Sequence, residues 1–397
     1  MPATENSSAS ESAVGVPWRS PALLAILAAT LMTPMDVPMI SPVLPEVQSV
    51  FGVSESRAGL LITLYALPGI VLAPVIGALA DRVGRRYVLS GCLVVFGLAG
   101  FAVWFTDDFS VALGLRVVQG FAAGSVLSAL AMTVVGDRYT GRQHDAVMGV
   151  TSAMLSLGTA AYPVIGGYLA TRVWNAPFLM YALTLPVAGL VLWTLDERRT
   201  ESGSSDRGYL REALQTIPAQ RAFALYGVMF LSFSLLFGGL YTALPFYLTG
   251  RFGVTATTVG LVTSAVLLVT AVVSTQNWRV TTRLSTAKHL AVGFLLYAVG
   301  FLIVGLTDSQ TALVGGLLVF GVGSGLVTPT LFGGISSLAP THVRGGVMSL
   351  QTTTIGISQA VGPIAFTLLS GKIGYQRTLL GAGLGAAVVA GVLFVAR

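Results

Sequence analysis

A single carboxylate sits where a carboxylate is costly. In TPMDVPMISPVLP, residues 33–45, Asp36 lies in an apolar run among four prolines, Pro34, Pro38, Pro42 and Pro45. The chain has 16 Asp+Glu, and Asp36 is the one well inside a membrane-length run, about 15 residues or ~22 Å along it. A charge at the bilayer centre costs roughly 3 kcal/mol on insertion scales, so an acid kept there marks function. A carboxyl carried between wet and dry surroundings binds a proton in one and releases it in the other. Asp36 is therefore the expected proton carrier, and a cationic substrate can compete for it. The competing reading is a structural acid bonded permanently to backbone or to Arg116. Arg116, in LGLRVVQGFAAG (113–124), is a second ion at depth. It stays charged and needs a partner or a wet cavity.

The elements around Asp36 must hold it in place. The prolines recur at intervals of 4, 4 and 3, so they form one helical stripe pointing away from the acid at about 100° per residue. Each removes a backbone donor and frees an upstream carbonyl, which is tolerated at depth when the backbone packs on protein or lines a cavity. The first span is expected to be bent, with Asp36 facing a central cavity. Met32 and Met39 flank the acid as a soft wall. Tyr65, Tyr162, Phe233, Phe237, Tyr241, Phe332 and Gln359, from five other spans, are candidate wall residues. Apolar, aromatic and thioether groups around one acid suit a poly-specific site for lipophilic cations or weak bases.

Composition supplies the setting. Hydrophobic residues make up 54% of the chain and charged ones 10%, against about 25% charged in soluble domains. Apolar runs of about 20 residues suit bilayer-crossing helices. Breaks at charged or Gly/Pro-rich points divide the chain into twelve spans, near 21–45, 57–80, 87–105, 109–136, 146–171, 177–195, 221–248, 256–276, 288–306, 310–338, 346–370 and 377–396. With both termini cytoplasmic, the Lys and Arg residues fall on the inner side, except Arg57, Arg172, Arg251, Lys372 and Arg377 opposite and Arg116 within a span. That is the asymmetry expected of a multi-pass protein of the cell membrane. The net charge of +6 therefore reports topology and does not point to nucleic acid.

The expected organisation is a disordered cytoplasmic tail (1–20), a six-helix bundle (21–195), a cytoplasmic linker (196–220) and a second six-helix bundle (221–397). An offset of 200 aligns the halves: AVMGV at 146–150 with GVMSL at 346–350, Pro163 with Pro363, and LP at 44–45 with LP at 244–245. A duplicated six-span unit is one way to build a secondary transporter, with its site between the halves. The fold class is all-α integral membrane, twelve helices in two pseudo-repeated bundles.

Three motifs lie in the first half. GALADRVGRR (77–86) joins spans 2 and 3, with glycines for a tight turn and close helix approach and with Asp81, Arg82, Arg85 and Arg86 to pair with helix ends. Span 4 carries the Arg116 stretch, and span 5 carries GTAAYPVIGG (158–167). Together they resemble the major facilitator superfamily, and in particular its twelve-span drug:proton antiporters, whose P-v-x-P ending PVLP (42–45) also matches. The resemblance covers all twelve spans. It implies alternating access, a gating role for Gly77, Asp81, Arg82, Gly84, Arg85 and Arg86, and a part in proton transfer for Arg116. The span 5 stretch resembles the antiporter motif, with Gly158, Pro163, Gly166 and Gly167 packing and bending the helix, and span 11 repeats the Gly362–Pro363 pair. Tyr162 departs from that motif by replacing a glycine; its bulk narrows the helix contact or offers a phenol to substrate. The span 8–9 loop WRVTTRLSTAK (278–288) keeps Arg279, Arg283 and Lys288 but lacks the acid and glycines.

Other chemistries lack their residues. There is no H-E-x-x-H, no phosphate-binding G-x-x-x-x-G-K-[ST] and no pair of buried acids, which argues against an enzyme or a nucleotide-driven pump. The one cysteine, Cys92, lies in an apolar run and excludes disulfides. No cofactor or metal is expected. The expected function is a monomeric, proton-coupled exporter of small hydrophobic or cationic compounds, whose partners are the substrate, protons and the lipid bilayer. Two alternatives remain: a carrier of one metabolite on the same fold, and a non-transporting receptor or scaffold.

Overall fold

The computed structural model describes residues 15–122, 124–196, 219–281, 284–338 and 344–395. Most of the expected tail (1–20) and linker (196–220), and Arg283, lie outside them. The described residues form eleven helices long and apolar enough to cross a membrane, and a twelfth span when a bent pair is counted as one. Span 1 is that pair, Pro21–Met35 and Val37–Phe51, bent by 45°. Spans 2 to 6 are Glu55–Val83, Arg85–Phe105, Phe109–Arg138, Gly141–Ala170 and Ala176–Thr194. Span 7 runs over Gln220–Phe252, with spans 8 to 12 at Ala256–Gln276, Thr286–Leu306, Gln310–Ser336, Arg344–Ile373 and Tyr375–Val395. Span 1 extends a turn and a half past its expected end because Gly52, at φ +59°, supplies the left-handed stop. Gly253 ends span 7 in the same way at φ +63°.

The first helix of each half is irregular at the same height. Span 1 passes through 3-10 turns at Thr33–Met35 and Ser41–Val43, on either side of Asp36. Span 7 carries a π segment over Leu235–Ala243, the same stretch displaced by 200 residues. The halves meet through spans 5 and 8 and through spans 2 and 11, contacts related by that offset. In the first, Gly167 lies against the Ala256 backbone and Gly260 against the Pro163 carbonyl; in the second, Gly59 lies against Thr367. A Cβ at Gly167 or Gly260 would collide with backbone, so these glycines set the helix separation.

Hydrogen bonds between the halves cluster toward the end opposite the termini. Thr63 donates to the Ala360 carbonyl (2.9 Å) and Thr257 to that of Gly167 (3.3 Å). Tyr375 donates to Glu55 (2.7 Å), and Ser41 donates to the Tyr241 carbonyl (2.6 Å). Residues 41 and 241 are equivalent under the repeat, so their contact places them at the pseudo-two-fold axis. At the terminal end the polar contacts named below stay within the first half. Among the described residues, the bonds that tie the halves together thus lie toward the end opposite the termini.

Candidate functional site

The site begins at the break in span 1. Pro34 and Pro38 lack the N–H that would continue the helix, and Asp36 between them has ψ −88°, outside the helical range. The upstream carbonyls are satisfied from elsewhere. Thr33 donates its hydroxyl to the Thr30 carbonyl (2.8 Å), Tyr162 of span 5 to that of Leu31 (2.9 Å) and Tyr181 of span 6 to that of Met35 (2.7 Å). Two buried tyrosines thus clasp the backbone on the approach to the acid. The phenol of Tyr162, expected either to narrow the contact or to meet substrate, is bonded to span 1. Gly158, one turn earlier, lets Pro34 lie against span 5.

Arg116 is fully buried and held by four groups from two other spans and its own. Its Nε donates to the Leu61 carbonyl (3.0 Å), and its Nη1 to Gln119 (2.6 Å) and to the Tyr181 hydroxyl (3.3 Å). Its guanidinium lies over the Tyr65 ring, 4.5 Å from the centroid, a cation–π contact strengthened by burial. Its Nη2 has no hydrogen-bond partner. Asp36 is within hydrogen-bonding reach of the Tyr65 hydroxyl and the Val37 N–H, and feels the Arg116 charge. Among the ion pairs of the described residues, Asp36 and Arg116 do not form one. Asp36 keeps part of its surface exposed in an otherwise buried stretch. Of the two forms of the structural-acid reading, the Arg116 ion pair is not formed in this structure, while the backbone bond, from the Val37 N–H, is within reach.

The facing wall comes from the second half. Phe332 of span 10 stacks on Phe233 of span 7 (6.3 Å), Phe233 on Phe237 (6.2 Å), and Phe237 lies against Tyr241 (5.9 Å). This aromatic ladder descends from Phe332, near the terminal end of span 10, to Tyr241, which is an electrostatic neighbour of Asp36. Gln359 of span 11 lies between the stripe that meets span 2 (Gly356, Ala360, Thr367) and the one that meets span 7 (Ser358, Gly362). Its amide nitrogen is buried without a partner.

Several expectations need correction. Met39 is fully buried with its backbone against Gly166, so it packs spans 1 and 5 and is not a cavity wall. Met32 is buried to the same degree as Phe233, so burial does not take it off the wall. The predicted proximity of a neighbouring helix at Gly77 does not occur, since a Cβ there would meet nothing. Gly84 does make the tight turn, with φ +112°. Arg85 pairs with Asp137 and, at 3.4 Å, with Asp81; Arg86 donates to the Leu195 carbonyl (3.1 Å); Arg138 pairs with Asp196 (2.8 Å). Arg82 is exposed. Pro163 and Pro363 sit inside continuous helices, and Gly362 packs on Ser234 and Gly238 of span 7. Sequence reading missed Tyr181, which carries no motif, and Gln119, which the i, i+3 spacing from Arg116 would have revealed.

Comparison with known proteins agrees with this architecture. The Major Facilitator Superfamily model matches residues 26–363. The tetracycline resistance protein, class B, of Escherichia coli is 25% identical over 351 residues, covering 86% of this chain and 87% of that one. The bacillibactin exporter of Bacillus subtilis is 28% identical over 163 residues, 39% of this chain and 40% of that one. Among solved structures, an inward-facing bacterial homologue of the human lysosomal transporter Spinster superposes with a TM-score of 0.78 at 17% identity, covering 96% of each chain.

Proposed function

This chain belongs to the major facilitator superfamily, and we propose that within it the protein is a proton-coupled exporter of small hydrophobic or cationic compounds. The observation that carries this reading is the position of Asp36. It is a part-exposed acid at the break of span 1, beside an arginine with one free amino group and at the foot of an aromatic ladder. The name of the bacillibactin exporter supports export, and that of the tetracycline resistance protein supports a small drug-like compound as substrate. The uneven distribution of Lys and Arg supports cytoplasmic termini, and in this reading the open end is the terminal, cytoplasmic one, opposite the hydrogen bonds that join the halves. In this reading residues 21–195 and 221–397 are the two rocking halves, joined by 196–220.

A lipophilic cation enters from the cytoplasmic side, slides along Phe332, Phe233 and Phe237, and displaces the proton on Asp36. Closing the terminal end brings the 77–86 loop to the second half and opens the other end. There the substrate leaves and a proton returns to Asp36. The free Nη2 of Arg116 gives the ionised carboxylate a nearby donor during the exchange. Competition between proton and substrate for one group suffices for antiport, because either ligand discharges the acid and allows the halves to rock.

The test is uptake of cationic dyes into proteoliposomes under an imposed pH gradient. Wild type should concentrate several unrelated dyes, which compete with one another, and Asp36→Asn should lose gradient-driven uptake. Intact gradient-driven uptake in Asp36→Asn would refute the reading. A single accepted solute without competition would point to a metabolite carrier.

A further inference from the structure

We propose that Tyr181 is the positioning residue through which the ionisation of Asp36 reaches the break in span 1. The inference rests on the proton-coupled reading above. Tyr181 lies in the 3-10 stretch Ala176–Leu183 and is fully buried, its ring between Phe96 (5.3 Å) and Phe178 (6.1 Å). Gly100 leaves room for that ring, since a Cβ there would run into it. With the ring fixed, the hydroxyl lies within hydrogen-bonding reach of the Gln119 side chain and makes two further bonds. It donates to the Met35 carbonyl (2.7 Å) and accepts from Arg116 Nη1 (3.3 Å). Met35 is the residue immediately before Asp36. The chain of contacts therefore closes on itself, from Asp36 through the Arg116 charge to the Tyr181 hydroxyl and back to the backbone next to Asp36.

The geometry assigns a direction to the coupling. Of the three side-chain bonds of Arg116, the one to Tyr181 is the longest, and the opposite amino group is free. When Asp36 ionises, its charge attracts the free Nη2, and the guanidinium turns about its bonds to Leu61 and Gln119. That turn weakens the contact to Tyr181, and a hydroxyl no longer polarised by the guanidinium donates more weakly to Met35, loosening the clasp on the break. Neutralisation by proton or cation reverses it. The groups facing Asp36 from the surrounding elements are Tyr65 of span 2, Arg116 of span 4, Tyr181 of span 6 and Tyr241 of span 7, with Tyr162 of span 5 next to Tyr181. Tyr162 holds the Leu31 carbonyl but has no bond to Arg116, so it clasps span 1 without sensing the charge.

Tyr181→Phe keeps the ring and removes both bonds. Spin labels on Trp193→Cys and Gln276→Cys in a Cys92→Ser background read the separation of the halves at the terminal end. In wild type this separation should change with pH, and in Tyr181→Phe the change should be lost. Dye affinity should stay within about twofold, because the acid and the ladder remain, while gradient-driven transport falls about tenfold, within the usual range of coupling. Tyr162→Phe should keep the pH response. An unaltered pH response in Tyr181→Phe, or an equal loss in Tyr162→Phe, overturns the proposal. Should Tyr181→Phe fail to fold, 3-fluorotyrosine at 181 in otherwise native protein supplies the readout. Its fluorine resonance should titrate, and should stop titrating in Asp36→Asn; a resonance silent to pH overturns the assignment. If Asp36→Asn keeps gradient-driven transport, the proton-coupled reading and this assignment fall together. If Asp36→Asn loses it while Tyr181→Phe matches wild type, only the role of Tyr181 fails.

Discussion

Removing two hydroxyls should open the closed end. Ser41 and Thr63 each donate a buried hydrogen bond across the halves, to the carbonyls of Tyr241 and Ala360. Both bonds belong to the state seen here and must part when the halves separate at that end. Once separated, the hydroxyls can bond water or their own helix, so the double variant Ser41→Ala/Thr63→Val penalises the closed state selectively. A net hydrogen bond contributes about 1 kcal/mol, and two contribute about 2 kcal/mol. At roughly 1.4 kcal/mol per tenfold, the equilibrium should move about 30-fold toward opening. A resting ratio near 100:1 would then fall to about 3:1, a populated minor state. Valine matches threonine in shape, so packing at position 63 is preserved. Spin labels at that end, one on each half, for instance on Val173→Cys and Gly250→Cys, both exposed, would report the new population directly. Each single variant should give about a fivefold shift, from the same arithmetic. An unchanged distance distribution in the double variant would refute the argument that these bonds hold the end shut.

Four further outcomes follow from the packing. Tyr162→Phe leaves the buried Leu31 carbonyl without its donor and should lower stability by about 1–3 kcal/mol, seen as a lower thermal midpoint in detergent with dye transport retained. Gly166→Leu drives a side chain into the Met39 backbone, which cannot yield as a flexible side chain would, and should abolish monodisperse protein in size-exclusion chromatography. Gly77→Ala meets nothing in this state and should be neutral or stabilising by about 1 kcal/mol from helix propensity; slowed transport in that variant would show that residue 77 becomes a contact when the terminal end closes. Phe233→Ala removes the stacks to Phe237 and Phe332, each worth about 0.5–1.5 kcal/mol, and should weaken binding of a planar cationic dye about tenfold in fluorescence titration.

The spans, the break at Asp36 and the doubled architecture were legible in the sequence because hydropathy, proline spacing and an offset each act along the chain. What the chain could not disclose was the rotation of each helix about its axis. Met39 and Asp36 are three residues apart and seemed to share a face. The change of direction at Asp36 turns Met39 onto Gly166 of span 5 while the acid keeps its exposure. Tyr162 looked like a defect in a glycine motif, yet its hydroxyl answers a carbonyl on the approach to the proline break, a pairing 131 residues distant in sequence. Tyr181 gave no signal because its role depends on three spans converging, and the repeat places a glycine, Gly381, at its equivalent position. The aromatic ladder was partly visible as Phe233, Phe237 and Tyr241 at helical spacing. Its top rung, Phe332, joins only through the packing of span 10 on span 7.

The two halves share backbone irregularity and divide the chemistry. At the offset of 200, Asp36 corresponds to Leu236, Arg116 to Gly316, Tyr65 to Ala265 and Tyr162 to Gly362. Each half interrupts its first helix at the same depth, one by prolines and 3-10 turns and the other by a π segment. An interrupted helix exposes carbonyls that need donors. In the first half, tyrosines and threonine supply them. In the second, the π segment bonds more of its own backbone and one hydroxyl, Thr242 to the Phe237 carbonyl (2.8 Å), contributes locally. The first half therefore brings polar groups to its break, and those same groups can hold a charge. The second half, free of that demand, presents aromatic faces. Because Ser41 and Tyr241 touch at the pseudo-axis, the ionisable wall and the aromatic wall meet where rocking displaces neighbouring atoms least. In the proposed exchange, a substrate held there keeps its contacts to both walls through the early part of the motion, so that it and a proton can compete for the one carboxyl.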